Sequence, residues 1–143
     1  MREILFRGKR ADNGEWVEGF PFVRRNTNGE VIDCFIIQEA YEQVTNGQRY
    51  VRSNLKSECF CVIPKTIRQF TGLTDKSGTK IFEGDILRDD DNEENGVVVF
   101  FEGEYCVSFD NEFTYGFADI ACSCYVNGNI HDNPEFLKDG ANE

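Results

Sequence analysis

Apolar residues along this chain come in short alternating runs cut by Asn, Gly and Asp. That texture predicts strands rather than helices. No window sustains an apolar pattern at i, i+3, i+4 and i+7. "EILFRGK" predicts a first strand, followed by a turn at Asp12-Asn13-Gly14. In "EWVEGFPFV", Trp16, Phe20 and Phe22 fall on one alternating face, and Pro21 argues for an edge strand or a bulge. A hairpin turn is expected at Asn26 to Glu30. The long apolar stretch of "VIDCFII" predicts burial on both faces. "QEAYEQVTNGQ" reads as a short helical turn ending at Asn46-Gly47, or as a loop. "RYVRSNL" and "CFCVI" read as strands, and Pro64 then breaks the pattern. This break divides the chain into a β-rich region, residues 1–65, and a second region, residues 66–143.

In the second region, Thr66 is expected to cap a short turn of helix through "IRQF", closed by Gly72. "TDKSGTK" is a turn with Gly78 at positive φ. "KIFEGDILR" is a strand kinked near Gly84, with Ile81, Phe82, Ile86 and Leu87 as core. Glu83 and Asp85 are placed to accept backbone N–H groups. "DDDNEENG" is an acidic hairpin tip, and "VVVFFEGEYCVSF" gives two strands around Glu102-Gly103. "ADIACSCYVNGNI" reads as one more strand with a turn at Asn127-Gly128, and "HDNPEFL" as a closing turn. About ten strands at intervals of roughly 8–12 residues suit small sandwiches or barrels. The expected class is all-β, with a β-rich N-terminal region and an SH3-like small barrel over residues 66–143.

At "TIRQFTGLTDKSGTKIFEGDIL", taken with "MREILFRGKR", "GEWVEGF" and "NGNIHDNPEFL", the sequence resembles the YopX family of phage and prophage proteins. The four blocks stand in the family's order and span nearly the whole chain. The resemblance implies the fold just described and a bacterial cytoplasm during infection or lysogeny. It brings no catalytic residues to carry over. Arg68 stands where the family more often has a small residue, and His131 where it more often has an aromatic one; both are expected as surface variation.

Composition narrows the chemistry. Of 143 residues, 40% are hydrophobic and 13 are Phe, enough for a core without disulfide staples. The amino-terminal apolar run is only Ile4-Leu5-Phe6, so neither a secretory leader nor a membrane span is expected. The six cysteines are then expected as free thiols in a reducing cytoplasm. The net charge is −11. Residues 1–65 hold ten Lys/Arg and nine Asp/Glu, whereas residues 66–143 hold five and seventeen. The acidic half would repel a phosphate backbone, so direct nucleic-acid binding by it is not expected.

Candidate chemistry is sparse. Cys59/Cys61 and Cys122/Cys124 are C-x-C pairs whose sulfurs would share a face on a strand. Two such strands side by side would supply four thiolates for zinc, although zinc sites ordinarily space their ligands more widely on a tight turn. Buried Cys as a small hydrophobe is the plainer reading, and Cys34 and Cys106 fit it. His131, the single His, excludes any mechanism needing two imidazoles in one chain, and "NIHDNP" reads as a polar turn. The acidic run lacks the ligand alternation and closing Glu of a calcium loop. Arg2, Arg7, Lys9, Arg10, Arg24 and Arg25 would form a basic patch if the first two strands pair.

The expectation is therefore a non-enzymatic adaptor or protein-binding module with no catalytic, cofactor or metal site. Its partner would be a host or phage protein, with self-association open. The alternative is an acidic DNA mimic, centred on Asp89 to Asp91, Glu93 and Glu94, that inhibits a host DNA-binding protein.

Overall fold

The structure, a computed structural model, describes residues 3–38, 40–53, 59–91, 93–109, 112–114 and 116–137, with backbone alone at 40–45 and 50–53. It is mainly β. The chain divides into two compact units, Leu5–Arg68 and Gln69–Glu143 with Met1–Ile4.

In the first unit, strands β1 (Phe6–Lys9), β2 (Trp16–Arg25), β3 (Val31–Ile37) and β6 (Cys59–Val62) form antiparallel ladders in the order β6-β3-β2-β1. Alternation sends Val17, Cys34, Ile36 and Val62 to one face, where Phe6, Phe60 and Ile67 pack against them. Backbones approach closely here. A Cβ on Gly19 would lie 2.4 Å from the Ile37 carbonyl oxygen. The β2–β3 turn forms as expected, with Asn26 Oδ1 accepting the N–H groups of Asn28 and Glu30 at 2.9 and 3.0 Å.

Several expectations change. β3 is fully buried on one face only: Cys34 and Ile36 are buried, Phe35 and Ile37 on the other face are half-buried, and Val31 and Ile32 at its start are 42% and 54% exposed. Pro21 sits in register opposite Ile36, and the bulge lies instead at Arg24/Arg25. The ladder to β1 ends at Gly19, so β2 is a local edge where the proline lacks its donor. The stretch read as helical turn or loop is a hairpin of β4 (Ala40–Thr45) and β5 (Gln48–Ser53). Asn46 and Gly47, at φ 52° and 78°, form a tight primed turn. The end of the "RYVRSNL" run lies outside the described residues.

The second unit contains β7 (Arg68–Thr74), β8 (Lys80–Phe82), β9 (Asp85–Asp89), β10 (Glu94–Phe101), β11 (Glu104–Phe109), β12 (Glu112–Thr114), helix α1 (Phe117–Ser123) and β13 (Tyr125–Asn129). β7 and β8 form a hairpin, and the others run β12-β11-β10-β9-β13, an open order with β12 and β13 at its edges among the described residues. The expected core is in place: Ile81, Phe82, Ile86 and Leu87 are fully buried. Consecutive burial of Ile86 and Leu87 means that β9 is covered on both faces.

Thr66 does not cap a helix. It ends a single 3-10 turn (Pro64–Thr66), and its hydroxyl accepts from Lys9 N–H at 2.9 Å while donating to the Ile63 carbonyl at 2.6 Å. The following residues are strand β7, bulged around Gly72 at φ 91°. The predicted single strand through Cys122 is a helix followed by β13. Phe117, Ile120, Ala121 and Cys124 all pack in the core, the spacing of one helical stripe over two turns.

Candidate protein-binding site

The quoted stretch Thr66 to Leu87 spends its polar groups on the fold. Asp75 is 6% exposed. Its Oδ1 accepts Ser77 and Thr79 N–H at 2.8 and 2.9 Å, closing the β7–β8 turn. Its Oδ2 accepts Val126 N–H at 2.8 Å, tying that turn to β13. Burial would push this carboxyl up, but the N–H groups of Val126, Thr79, Ser77 and Gly78 outweigh it and hold it below the ordinary 3.8. Asp85 Oδ2 accepts Phe82 N–H at 2.8 Å across the Glu83-Gly84 turn.

The closing block behaves alike. Asn129, 9% exposed, accepts His131 and Asp132 N–H on Oδ1 at 2.9 and 3.0 Å and donates from Nδ2 to Asp132 Oδ2 at 3.2 Å. His131 is thus held by its backbone in a polar turn, as expected. Asn129 and Asn95, whose Nδ2 reaches the Phe136 carbonyl at 3.1 Å, were not singled out from sequence. The signal for Asn129 was the Asn-rich spelling of an Asx turn.

The cysteine pairs fall in separate units. Cys59 and Cys61 are on β6 of the first unit, and Cys122 and Cys124 flank the end of α1 in the second. Among the described residues no group of three or more His, Cys, Asp or Glu is placed to hold a metal ion. Burial pushes up the thiols of Cys34, Cys59, Cys106 and Cys124, away from nucleophilic thiolates. Cys124 lines a shallow cavity of about 140 Å³ with Asp89, Glu94, Phe109, Ile120 and Ser123.

The acidic tip is partly compensated. Asp90 pairs with Lys76 at 2.8 Å, which holds the aspartate below its ordinary value, and Asp91 N–H donates to Asp89 Oδ1. The basic patch also resolves into pairs: Arg7 with Glu18, Arg10 with Asp12, and Arg24 with Asp33. Arg2 lies outside the described residues.

The face of the first unit's sheet opposite its core carries exposed apolar rings. Residues directly opposite in antiparallel strands share a face. The registers align Phe20, Ile37 and Cys59 in one row, Phe22, Phe35 and Cys61 in the next, and Arg24 with Asp33 beyond. Phe20 and Phe22 are 55% and 53% exposed. Arg24 forks onto Asp33 at 2.9 and 2.6 Å, bordering this apolar surface with a fixed ion pair. Trp16, half-buried, continues the face; Arg68, expected at the surface, is instead 3% exposed, with its guanidinium 4.5 Å from the Trp16 ring. The sequence showed the alternation of Trp16, Phe20 and Phe22. That two of these rings face solvent was not visible there.

Residues 5–138 match the family model described as YopX protein. No curated protein matches the chain. Among solved structures, protein EF1440 from Enterococcus faecalis is similar, at TM-score 0.64 and 23% identity, over 96% of this chain and 100% of that one. This likeness speaks for the fold.

Proposed function

The chain belongs to the YopX family, and from that footing we propose that it is a phage or prophage accessory protein acting in the bacterial cytoplasm as a non-enzymatic protein-binding module. The observation that carries this reading is the solvent-facing Phe20/Phe22 row on β2. Contiguous exposed apolar surface on a soluble domain marks an interaction site. Each ring leaves about 100 Å² open, taking 150–250 Å² for a whole aromatic side chain. Burying both would contribute roughly 5 kcal/mol at about 25 cal/mol per Å². The partner is a host or phage protein that lays an apolar strand or loop across the face. Read as an SH3-like module, the second unit adds a scaffold that hosts many roles, an argument by analogy. No helix among the described residues is long and apolar enough to cross a membrane.

The test is a tagged pull-down from nuclease-treated bacterial lysate, comparing wild type with the Phe20→Ser/Phe22→Ser double variant. A protein retained through moderate salt by wild type and lost by the variant supports the reading. A partner captured equally by both overturns this face as the site. The second reading, an acidic mimic of DNA, is favoured by the exposed residues Asp91 and Glu93 in the β9–β10 turn and Glu94 at the start of β10. It expects a DNA-binding partner released by moderate salt and indifferent to the phenylalanine changes.

A further inference from the structure

A second aromatic surface lies in the other unit, and its surroundings differ in sign. Phe101 and Phe113 are 39% and 42% exposed and stack with ring centroids 4.6 Å apart at an interplanar angle of 2°. Glu104 is directly opposite Phe101, on the same face, and Glu102 occupies the adjoining turn at φ 52°. Both glutamates are exposed. Neither has an ion pair or side-chain hydrogen bond among the described residues. The described cations of this unit make other contacts: Lys76 with Asp90, Lys80 with Glu3 and Arg88 with the Glu93 carbonyl. The result is an exposed, parallel ring pair beside two carboxylates that have no ion pair among the described residues.

We propose that this face of β10, β11 and β12 is an arginine-reading contact surface for a basic segment of a partner protein. A guanidinium is planar, stacks on aromatic faces and forks onto carboxylates. Glu104 beside the Phe101/Phe113 stack offers both contacts to one side chain, with Glu102 close in the chain. Lysine supplies the charge but neither the plane nor the fork. A second copy is the weaker occupant, because two chains of net charge −11 repel whereas a basic segment is drawn in. The proposal does not rest on the Phe20/Phe22 face, so the two stand or fall separately.

The experiment titrates the ¹⁵N-labelled full chain with acetyl-(Gly-Arg)₃-amide and with acetyl-(Gly-Lys)₃-amide, which carries the same charge. Amide shifts from Phe100 to Glu104 report the site. The arginine peptide is expected to bind about three-fold or more tightly than the lysine peptide. Phe113→Ser should abolish that preference, and Glu104→Gln should weaken the arginine peptide by a similar factor. Phe113 is exposed on an edge strand, and retained spectral dispersion checks its fold; the isosteric Glu104→Gln keeps the test valid if that variant unfolds. Equal binding of the two peptides by wild type, or no binding at millimolar peptide, overturns the proposal. So does a dimer by sedimentation of the peptide-free protein that Phe113→Ser dissolves.

Discussion

Replacing Asp75 is the sharpest test of how the second unit is held together. Its carboxylate accepts three backbone N–H groups from two separate segments, the β7–β8 turn and β13. Hydrogen bonds to a charged group contribute about 1.5–3 kcal/mol each in isolation, and a stranded buried donor costs about 1–3. These terms overlap, so Asp75→Ala should lose about 3–5 kcal/mol. Asp75→Asn keeps the volume but turns one acceptor into a donor aimed at an N–H, and should lose about 2–4. For a chain this long each kcal/mol moves Tm by roughly 2–4 °C, so a drop of about 4–16 °C is expected for Asn. Far-UV circular dichroism against temperature and urea reads it. The pH dependence provides a second check. The folded carboxyl titrates below its ordinary 3.8, so its stabilisation is complete above that value and disappears as pH falls through the folded pKa. The gap between wild type and Asp75→Asn should therefore be full at pH 7 and narrow in acid below 3.8. A loss under about 1 kcal/mol at pH 7, or a gap that does not shrink in acid, would refute the reasoning.

Other outcomes follow from the packing. Gly96→Val should destabilise by about 1–3 kcal/mol in urea melts, because a Cβ there meets Val107 Cγ1 at 2.5 Å and the Phe109 ring at 2.6 Å. Asn129→Ala should cost about 1–3 kcal/mol by the same measurement, since it strands the His131 and Asp132 N–H groups. In a brief iodoacetamide pulse under native conditions, mass spectrometry should find label first on exposed Cys61 and Cys122 and last on buried Cys34, Cys106 and Cys124. Early labelling of Cys106 would contradict its burial.

The class of the fold was legible because strand alternation and turn chemistry are local. Asn26 to Glu30, Asp75 to Gly78 and Glu102-Gly103 became the turns their residues spell. Ile81, Phe82, Ile86 and Leu87 became core. The failures were also local in origin. Helix α1 carries the stripe Phe117, Ile120, Ala121, Cys124, but two turns of period are too few to outweigh the strand-like residues after it. Thr66 had the look of a cap, and only Lys9, 57 residues away in sequence, reveals that its hydroxyl serves a different contact.

The sequence by itself determined that this is a mainly β chain with free polar turn chemistry, a strongly acidic second half and membership in the YopX family. Those properties follow from residue order, composition and nearest-neighbour geometry. Tertiary structure alone decided which side chains are spent and which remain available. Asp75 and Asn129, which the sequence does not single out, spend their hydrogen-bonding groups on the fold, Asp75 on a partner 51 residues away. Phe20 and Phe22 share a face by alternation, but only the structure shows that they, like Phe101 and Phe113, are exposed. Alternation tells that two residues share a face, but which face is covered depends on what the rest of the chain can bring against it. Here a small first core and a short edge strand leave apolar rings in water, and those rings are the most direct physical argument for a partner.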